Sequence, residues 1–437
     1  MGGSGRRARH PPGPDAVHLG RRIPGRKIRE ATPQPDRTSL TKVKKGMIYQ
    51  VFDPVTDGAL VSLPFLAPGD YYYGEAEGAD EMSDLAELAR KKVFPTAEKR
   101  AAAGGMDRTL WKKLADTGLL GTAIDGEYGG GGGTARDFVS RLALLAAEGC
   151  DLGLTLSVLD HVMLCAYPLQ HFGSEALKRR YLPGLCGGEL VGAAAVSEPG
   201  TGADPTHLAT RAEKEDGMYV IGGEKEPVTN APVADLFLVV AVTDAEAGKR
   251  GLSAFLVPRG EGVTVERLDL GYLATSPHGR LILQGARVPE DHLLGEEGWG
   301  HERVSRSLFL WERAAAIPVI VAFLERWHHL VVSPLDPEGV SPGVRVSLAQ
   351  RKVELTAYRV LGERLLELTF GGTEGGRERL ELLLFFGSAL PAWVKSMREL
   401  VDKEEVPLQE TAARMLGDLR LLEAGRSVLE MQLQNLI

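Results

Sequence analysis

Two short segments hold the residue types and spacings that could do chemistry. The first is Ala193-Ala194-Ala195-Val196-Ser197-Glu198-Pro199-Gly200-Thr201-Gly202-Ala203-Asp204. The second is Gly223-Glu224-Lys225-Glu226-Pro227-Val228-Thr229-Asn230, running on to Ala234-Asp235. A glycine-rich loop lets a flat or anionic ligand approach the backbone, because no Cβ stands in the way and the amides can point outward. A second loop carrying a hydroxyl, Thr229, can donate to the same ligand. Taken singly, each loop could equally be an ordinary turn.

The elements that must position these loops follow from the hydrophobic period. Between the loops, Leu208–Ala212 and Met218–Ile221 read as two strands hinged at Asp216-Gly217, a dipeptide suited to a two-residue hairpin. Residues 81–190 have helical spacing, with Met82, Leu85, Leu88 and Ala89 on one face and Leu142, Leu144, Leu145 and Cys150 continuing it. The Gly129–Gly133 run lacks the Lys-Ser/Thr of a phosphate loop and reads as a flexible connector. Residues 191–300 change to short apolar runs, Phe237–Val242, Leu252–Val257 and Leu281–Leu283, punctuated by Gly, Asp and Pro. Residues 301–437 return to helices, at Arg303–Val332, Arg345–Leu368, Arg379–Val401 and Gln409–Leu436. The fold class expected is multidomain α+β: a helical domain over 76–190, an antiparallel β-barrel or sandwich over 191–300, and a helix bundle over 301–437.

Together and in this order, the two loops resemble those of the acyl-CoA dehydrogenase family. Its members carry Thr-Glu-Pro-x-x-Gly-Ser-Asp and then Lys-x-Trp-Ile-Thr-Asn, both gripping a flavin ring. Further matching segments are Leu110-Trp111-Lys112-Lys113-Leu114 through Gly118-Leu119-Leu120-Gly121, Tyr128-Gly129-Gly130, and Phe172-Gly173-Ser174-Glu175 with Arg180-Tyr181-Leu182-Pro183. Val288-Pro289 with Leu294-Gly295-Glu296-Glu297-Gly298-Trp299-Gly300 completes them, so the likeness covers residues 80 to 330. It implies FAD as cofactor, with Val196, Ser197, Gly202, Ala203, Val228 and Thr229 as its contacts and Thr229 near flavin N5.

The resemblance also implies α,β-dehydrogenation of an acyl thioester. A carboxylate takes the α-proton while a hydride leaves the β-carbon for the flavin. Most relatives keep that carboxylate in a Glu-Gly-Thr loop near the C-terminus, and this chain has none; Glu430 is a poor second choice. A minority place it on the first long C-terminal helix, where Glu312 matches, with Arg313 matching a substrate-contacting arginine. Glu312 also interrupts an apolar helix, Leu308–Leu324, where a lone charge is costly unless paired or employed. Arg313, as the next residue, is not an i,i+4 partner for it. Ala203 stands where the family's loop serine would touch substrate or cofactor.

Several positions depart from the family. Pro227 replaces the tryptophan that covers the flavin, and Ala203 and Ser197 replace serine and threonine. Pro318 falls inside the helix of Glu312 and should kink it. The Arg-x-x-Phe-Gly and Gln-x-x-Gly-Gly-x-Gly motifs of the C-terminal block are not recognisable. Two alternatives therefore stay open: a flavin oxidase or hydroxylase on the same fold, and a degenerate member acting as a protein partner without catalysis. The family's partners would be an acyl-CoA or acyl-carrier thioester, an electron-transferring flavoprotein or other acceptor, and further copies of the chain in a dimer or tetramer.

Composition bounds the rest. At 437 residues the chain exceeds a single core, and a net charge of −8 argues against nucleic acid. Cys150, Cys165 and Cys186 lie in apolar stretches and read as buried thiols in a reducing cytoplasm. No apolar run is expected to reach the length of a membrane span. Residues 1–75 read as a basic, disordered extension, with clusters at Arg6-Arg7-Arg9, Arg21-Arg22 and Lys42-Lys44-Lys45, and Met47 as an alternative start. The Asp160-His161 pair reads as structural, its histidine flanked by Val158, Leu159, Val162 and Leu164.

Overall fold

The computed structural model describes residues 48–52, 60–64, 79–202, 204, 207–336, 339–372, 374–404, 406 and 408–424. Two units are distinct. The first contains one antiparallel ladder, β1 (Ile48–Phe52) on β2 (Leu60–Pro64). Both strands, the first rich in β-branched and aromatic residues (Ile48, Tyr49, Val51, Phe52), fall within the stretch expected to be a disordered extension. The remainder of that stretch, to residue 78, lies outside the described residues.

The second unit begins with helices α1 (Ala79–Leu88), α2 (Ala97–Ala102), α3 (Arg108–Asp116), α4 (Ala135–Gly149), α5 (Leu152–His161), α6 (Tyr167–Phe172) and α7 (Glu175–Cys186). Their boundaries are set by local chemistry. Thr134 and Asp137 form a capping box at α4, Asp151 caps α5 and Ser174 caps α7. The glycine run before α4 is no loose connector. Gly131, Gly132 and Gly133 donate backbone bonds to Gly121, Ile124 and Thr122, and a Cβ on Gly130 would lie only 2.0 Å from the Ile124 carbonyl. Cys150, Cys165 and Cys186 are buried and unpaired.

A seven-stranded sheet follows: β3 (Gly192–Ala195), β4 (Arg211–Glu215), β5 (Met218–Thr229), β6 (Leu236–Val242), β7 (Leu252–Pro258), β8 (Val263–Leu268) and β9 (His278–Pro289). Its order is β3-β6-β4-β5-β9-β8, with β7 on β6. Most pairings are antiparallel, but β3 runs parallel to β6, so the sheet is mixed rather than wholly antiparallel. Asp216 (φ 50°) and Gly217 (φ 74°) close the β4–β5 hairpin in the left-handed region that a two-residue turn demands. The unbroken apolar run of β6 is explained by burial on both faces. Leu236, Leu238 and Val240 pack with Leu182 and Leu185 of α7, while Phe237, Val239 and Ala241 pack inside the curled sheet.

Helices α8 (Arg306–Val332), α9 (Pro342–Phe370), α10 (Gly376–Lys403), α11 (Glu410–Asp418) and α12 (Leu421–Ala424) complete the chain. The centre of α8, Val319 to Leu324, is buried with Leu142, Leu145, Trp327 and Trp393 in one core. The helix continues through Pro318.

The expectation of no membrane-length apolar run is corrected here. Leu152–Phe172, Gly300–Val332 and Gly376–Lys403 are each long and apolar enough by length and composition. The first two spend that apolar surface inside the protein, with 78% and 61% of their most apolar windows buried, whereas the third buries 28%. Periodic reading missed them because consecutive segments α5 to α6 are joined by a continuous helical backbone, and because scattered Arg, Glu and His interrupt α8 in sequence.

Candidate flavin and acyl site

The two loops meet along the edge of the sheet. Glu226 N–H donates to the Ser197 carbonyl at 2.9 Å. Lys225, wholly buried, donates through Nζ to the Val196 carbonyl at 3.0 Å and to Glu198 Oε1 at 2.8 Å. Glu198 in turn accepts from the Ala209 and Thr210 amides at 2.7 and 3.0 Å. Burial pushes the Lys225 ammonium down to about 8 against the pull of Glu198. For Glu198, burial raises the carboxyl but the bonds from Lys225, Thr210 and Ala209 outweigh it and hold it low. Neither role could be read from the motif; the only signal was a Glu and a Lys at fixed places in two loops.

The first loop is closed on itself. Glu198 and Gly202 exchange backbone bonds of 2.8 and 3.0 Å, and Gly200 and Gly202 take positive φ of 77° and 60°. A Cβ on either glycine would meet open space, so backbone conformation rather than crowding selects glycine there. Val196 and Ser197 are half-buried beside it. Ala203 lies outside the described residues.

The second loop ends β5. Pro227 is exposed and sits in a register shift between Lys225 and Val228, where no ladder donor is needed. Val228 is buried and Thr229 half-buried. Asn230 turns the chain at φ 66°, a conformation asparagine tolerates. Its Nδ2 donates to the Ser157 carbonyl of α5 at 2.9 Å, fastening the corner to that helix. His278, the ladder partner of Thr229, is buried with no hydrogen-bond partner on either ring nitrogen among the described residues, and Asn230 Oδ1 lacks one too. Such polar atoms beside the paired loops fit a heteroaromatic ligand that supplies its own donors and acceptors.

Across from Thr229 stand two carboxyls. The Asp160 carboxyl of α5 feels both the Thr229 hydroxyl and the charge of Glu312 on α8. Burial first, then the Glu312 charge, pushes Asp160 up to about 8, with Thr229 opposing. Glu312 keeps 41% of its side-chain surface open to water. Burial raises its carboxyl and Arg313 opposes. Arg313 lies 3.6 Å from Glu312 despite being its sequence neighbour, and its guanidinium stacks 3.6 Å from the Phe309 ring centroid. Around the same part of α8, Trp311 packs on Tyr167, His171 and Phe172. Glu430 lies outside the described residues.

His161 is structural, as its apolar setting implied. Its Nδ1 accepts from the Gly192 amide at 2.9 Å, which makes Nε2 the donor to the Leu185 carbonyl at 3.1 Å, and its ring stands edge-on to Trp111. Asp160 is different, because successive helical residues point about 100° apart.

Residues 80–189 match the family described as acyl-CoA dehydrogenase, N-terminal domain, and residues 193–286 match acyl-CoA dehydrogenase, middle domain. An L-prolyl-(peptidyl-carrier protein) dehydrogenase of Pseudomonas fluorescens is 33% identical over 303 residues, 66% of this chain and 79% of the relative. An acyl-CoA dehydrogenase of Bacillus subtilis is 31% identical over 301 residues, 67% of this chain and 79% of the relative. The solved butyryl-CoA dehydrogenase of Megasphaera elsdenii shares the fold at TM-score 0.67 and 25% identity, covering 82% of this chain and 97% of that one.

Proposed function

The chain belongs to the acyl-CoA dehydrogenase family, and from that premise we propose that it uses FAD to dehydrogenate an acyl thioester between Cα and Cβ. The observation that carries this reading is the convergence of Thr229, Asp160 and Glu312 beneath two loops fastened together by Lys225 and Glu198. Val196, Ser197, Gly202, Ala203, Val228 and Thr229 hold the flavin. When bound, FAD supplies the hydride acceptor at N5, which no side chain offers.

Glu312 is the base. Its carboxylate takes the α-proton, and its raised pKa strengthens it for that task while Arg313 keeps it ionised. Arg313 also holds the polar end of the thioester, and Trp311 and its aromatic neighbours shield the cleft from water. CoA and a carrier protein both present the required thioester. An electron-transferring flavoprotein is the proposed acceptor, with the chain working as a cytoplasmic homo-oligomer.

One observation favours a second reading, an oxidase. Exposed Pro227 offers no aromatic cover, which would ease oxygen access to the ring. The purified protein is expected to absorb in the blue and to bleach anaerobically with an acyl thioester. Glu312→Gln should bind FAD normally while bleaching slows by roughly 10²–10⁴-fold. Undiminished bleaching in that variant moves the base elsewhere. A chain that never binds FAD sinks the reading, and rapid reoxidation by air selects the oxidase.

A further inference from the structure

Helix α9 carries two apolar lines where its place in the bundle needs one. Leu348, Leu355 and Gly362, seven residues apart, lie on its buried face. Val346, Val353 and Val360 repeat that spacing on the exposed side. Seven residues make nearly two full turns, so each trio holds one line along the helix. An offset of two residues turns the second line about 200° from the first. The outer valines are 56%, 69% and 62% exposed, so nothing in this chain covers them. The patch continues onto α10, where Leu380 and Phe385 are exposed and the Phe385 ring stands 5.7 Å from that of Tyr358 on α9. Among the described residues, Phe94 is the one exposed large apolar side chain elsewhere.

We propose that this face pairs with the same face of a second copy, two α9 helices running antiparallel about a two-fold axis at Val353. It rests on the chain working as a homo-oligomer and gives that assembly a contact surface. The sequence is symmetric about Val353 in the way such an axis demands. Seven residues either side stand Val346 and Val360; four either side, exposed Ala349 and Ala357; three either side, exposed Gln350 and Thr356. The axis sets valine against valine, alanine against alanine, and an amide against a hydroxyl. The small alanines let the two backbones approach closely. Lys352 falls opposite Glu354 of the second copy, whereas a parallel pair would set Lys352 against Lys352 and Arg345 against Arg345. From Val346 to Val360 the seam runs about 21 Å. A bilayer is the poorer occupant. The valine line is narrow, with Gln350 and Thr356 beside it and Arg345 and Glu354 at its margins, and a helix lying on lipid needs a broad apolar face.

Sedimentation of the full chain reads the assembly, and wild type should be a dimer or larger. Val353→Glu, at an exposed helical position, should keep the wild-type circular dichroism while weakening association roughly 100-fold or more, because two like charges meet on the axis. Crosslinking fixes the register. Val353→Cys should form a disulfide-linked dimer under mild oxidation, since a residue on the axis meets its own copy. Val346→Cys and Val360→Cys should link only when the two variants are mixed. The native thiols are buried and do not compete. Assembly unchanged in Val353→Glu, or no linking of Val353→Cys, overturns the surface while the homo-oligomer stands. A monomeric wild type overturns both, and its binding to phosphatidylcholine vesicles would make lipid the occupant instead.

Discussion

Lys225 shows how a single residue can hold a site without touching its chemistry. Its ammonium is buried with one carboxylate and one carbonyl as partners, and Glu198 depends on it to stay charged. Removing one member of such a pair leaves the other uncompensated, which costs far more than the pair contributes. Lys225→Met is expected to destabilise the protein by about 3–5 kcal/mol in urea unfolding. Adding Glu198→Gln should recover part of that loss, because the neutral amide needs no cation, although only one of the Ala209 and Thr210 amides keeps its acceptor. Equal additive losses from the two substitutions would mean that the pair is not coupled. The same logic separates Asp160 from His161: the histidine has both nitrogens satisfied, whereas the aspartate has a hydroxyl partner and a facing like charge.

At the scale of elements, the decisive contact is α8 on α9. Pro318 cannot donate to the helical ladder, yet α8 runs on through it with Val319 to Leu324 buried. Gly362 of α9 faces that proline: a Cβ added there would lie 3.4 Å from Pro318 Cγ. Gly362→Ala should therefore fit in van der Waals contact and gain up to about 1 kcal/mol of helix propensity. Gly362→Leu has no such room and should cost about 1–3 kcal/mol, read as a lower urea midpoint. The helix bearing Glu312 would shift with it, so flavin bleaching should slow in the leucine variant and not in the alanine one. Unaltered stability with leucine would show that α9 does not bear on α8 at this point.

For the whole molecule, one polar knot joins segments far apart in the chain. Asp151 caps α5 through the Leu154 amide, pairs with buried Arg100 of α2 at 2.6 Å, and accepts from Thr275 in the loop before β9. Asp418 of α11 approaches the same carboxylate. Burial first, and Asp151 second, push Asp418 up to about 7. Its folded pKa thus exceeds its unfolded value of 3.8, so the fold favours the protonated form. The stabilisation this brings is complete below pH 3.8 and is lost as pH rises through about 7. Asp418→Asn copies the neutral form and should be more stable than wild type above pH 7, by on the order of 1 kcal/mol or more, with the difference closing in acid. Unfolding midpoints at pH 5 and pH 8 provide the check; a constant difference would remove Asp418 from the titration.

What the sequence by itself determined was local. The switch from 3.6-residue to strand-like patterning, the Asp216-Gly217 hairpin, the buried thiols and the two motif loops depend on residues close along the chain, and each shows its signal in a short window. What only the tertiary structure decided was which polar groups meet. Asp160 reaches Thr229 and Glu312 across long stretches of chain, Lys225 crosses from one loop to the other, and the glycine run is laced to the turn beside it rather than free. The apolar lengths of α5–α6 and α8 likewise acquire their meaning from neighbours that cover them. The physical reason is that a buried charge has its energy set by the atoms around it in space, and those atoms come from segments whose order in the sequence does not announce that they will touch.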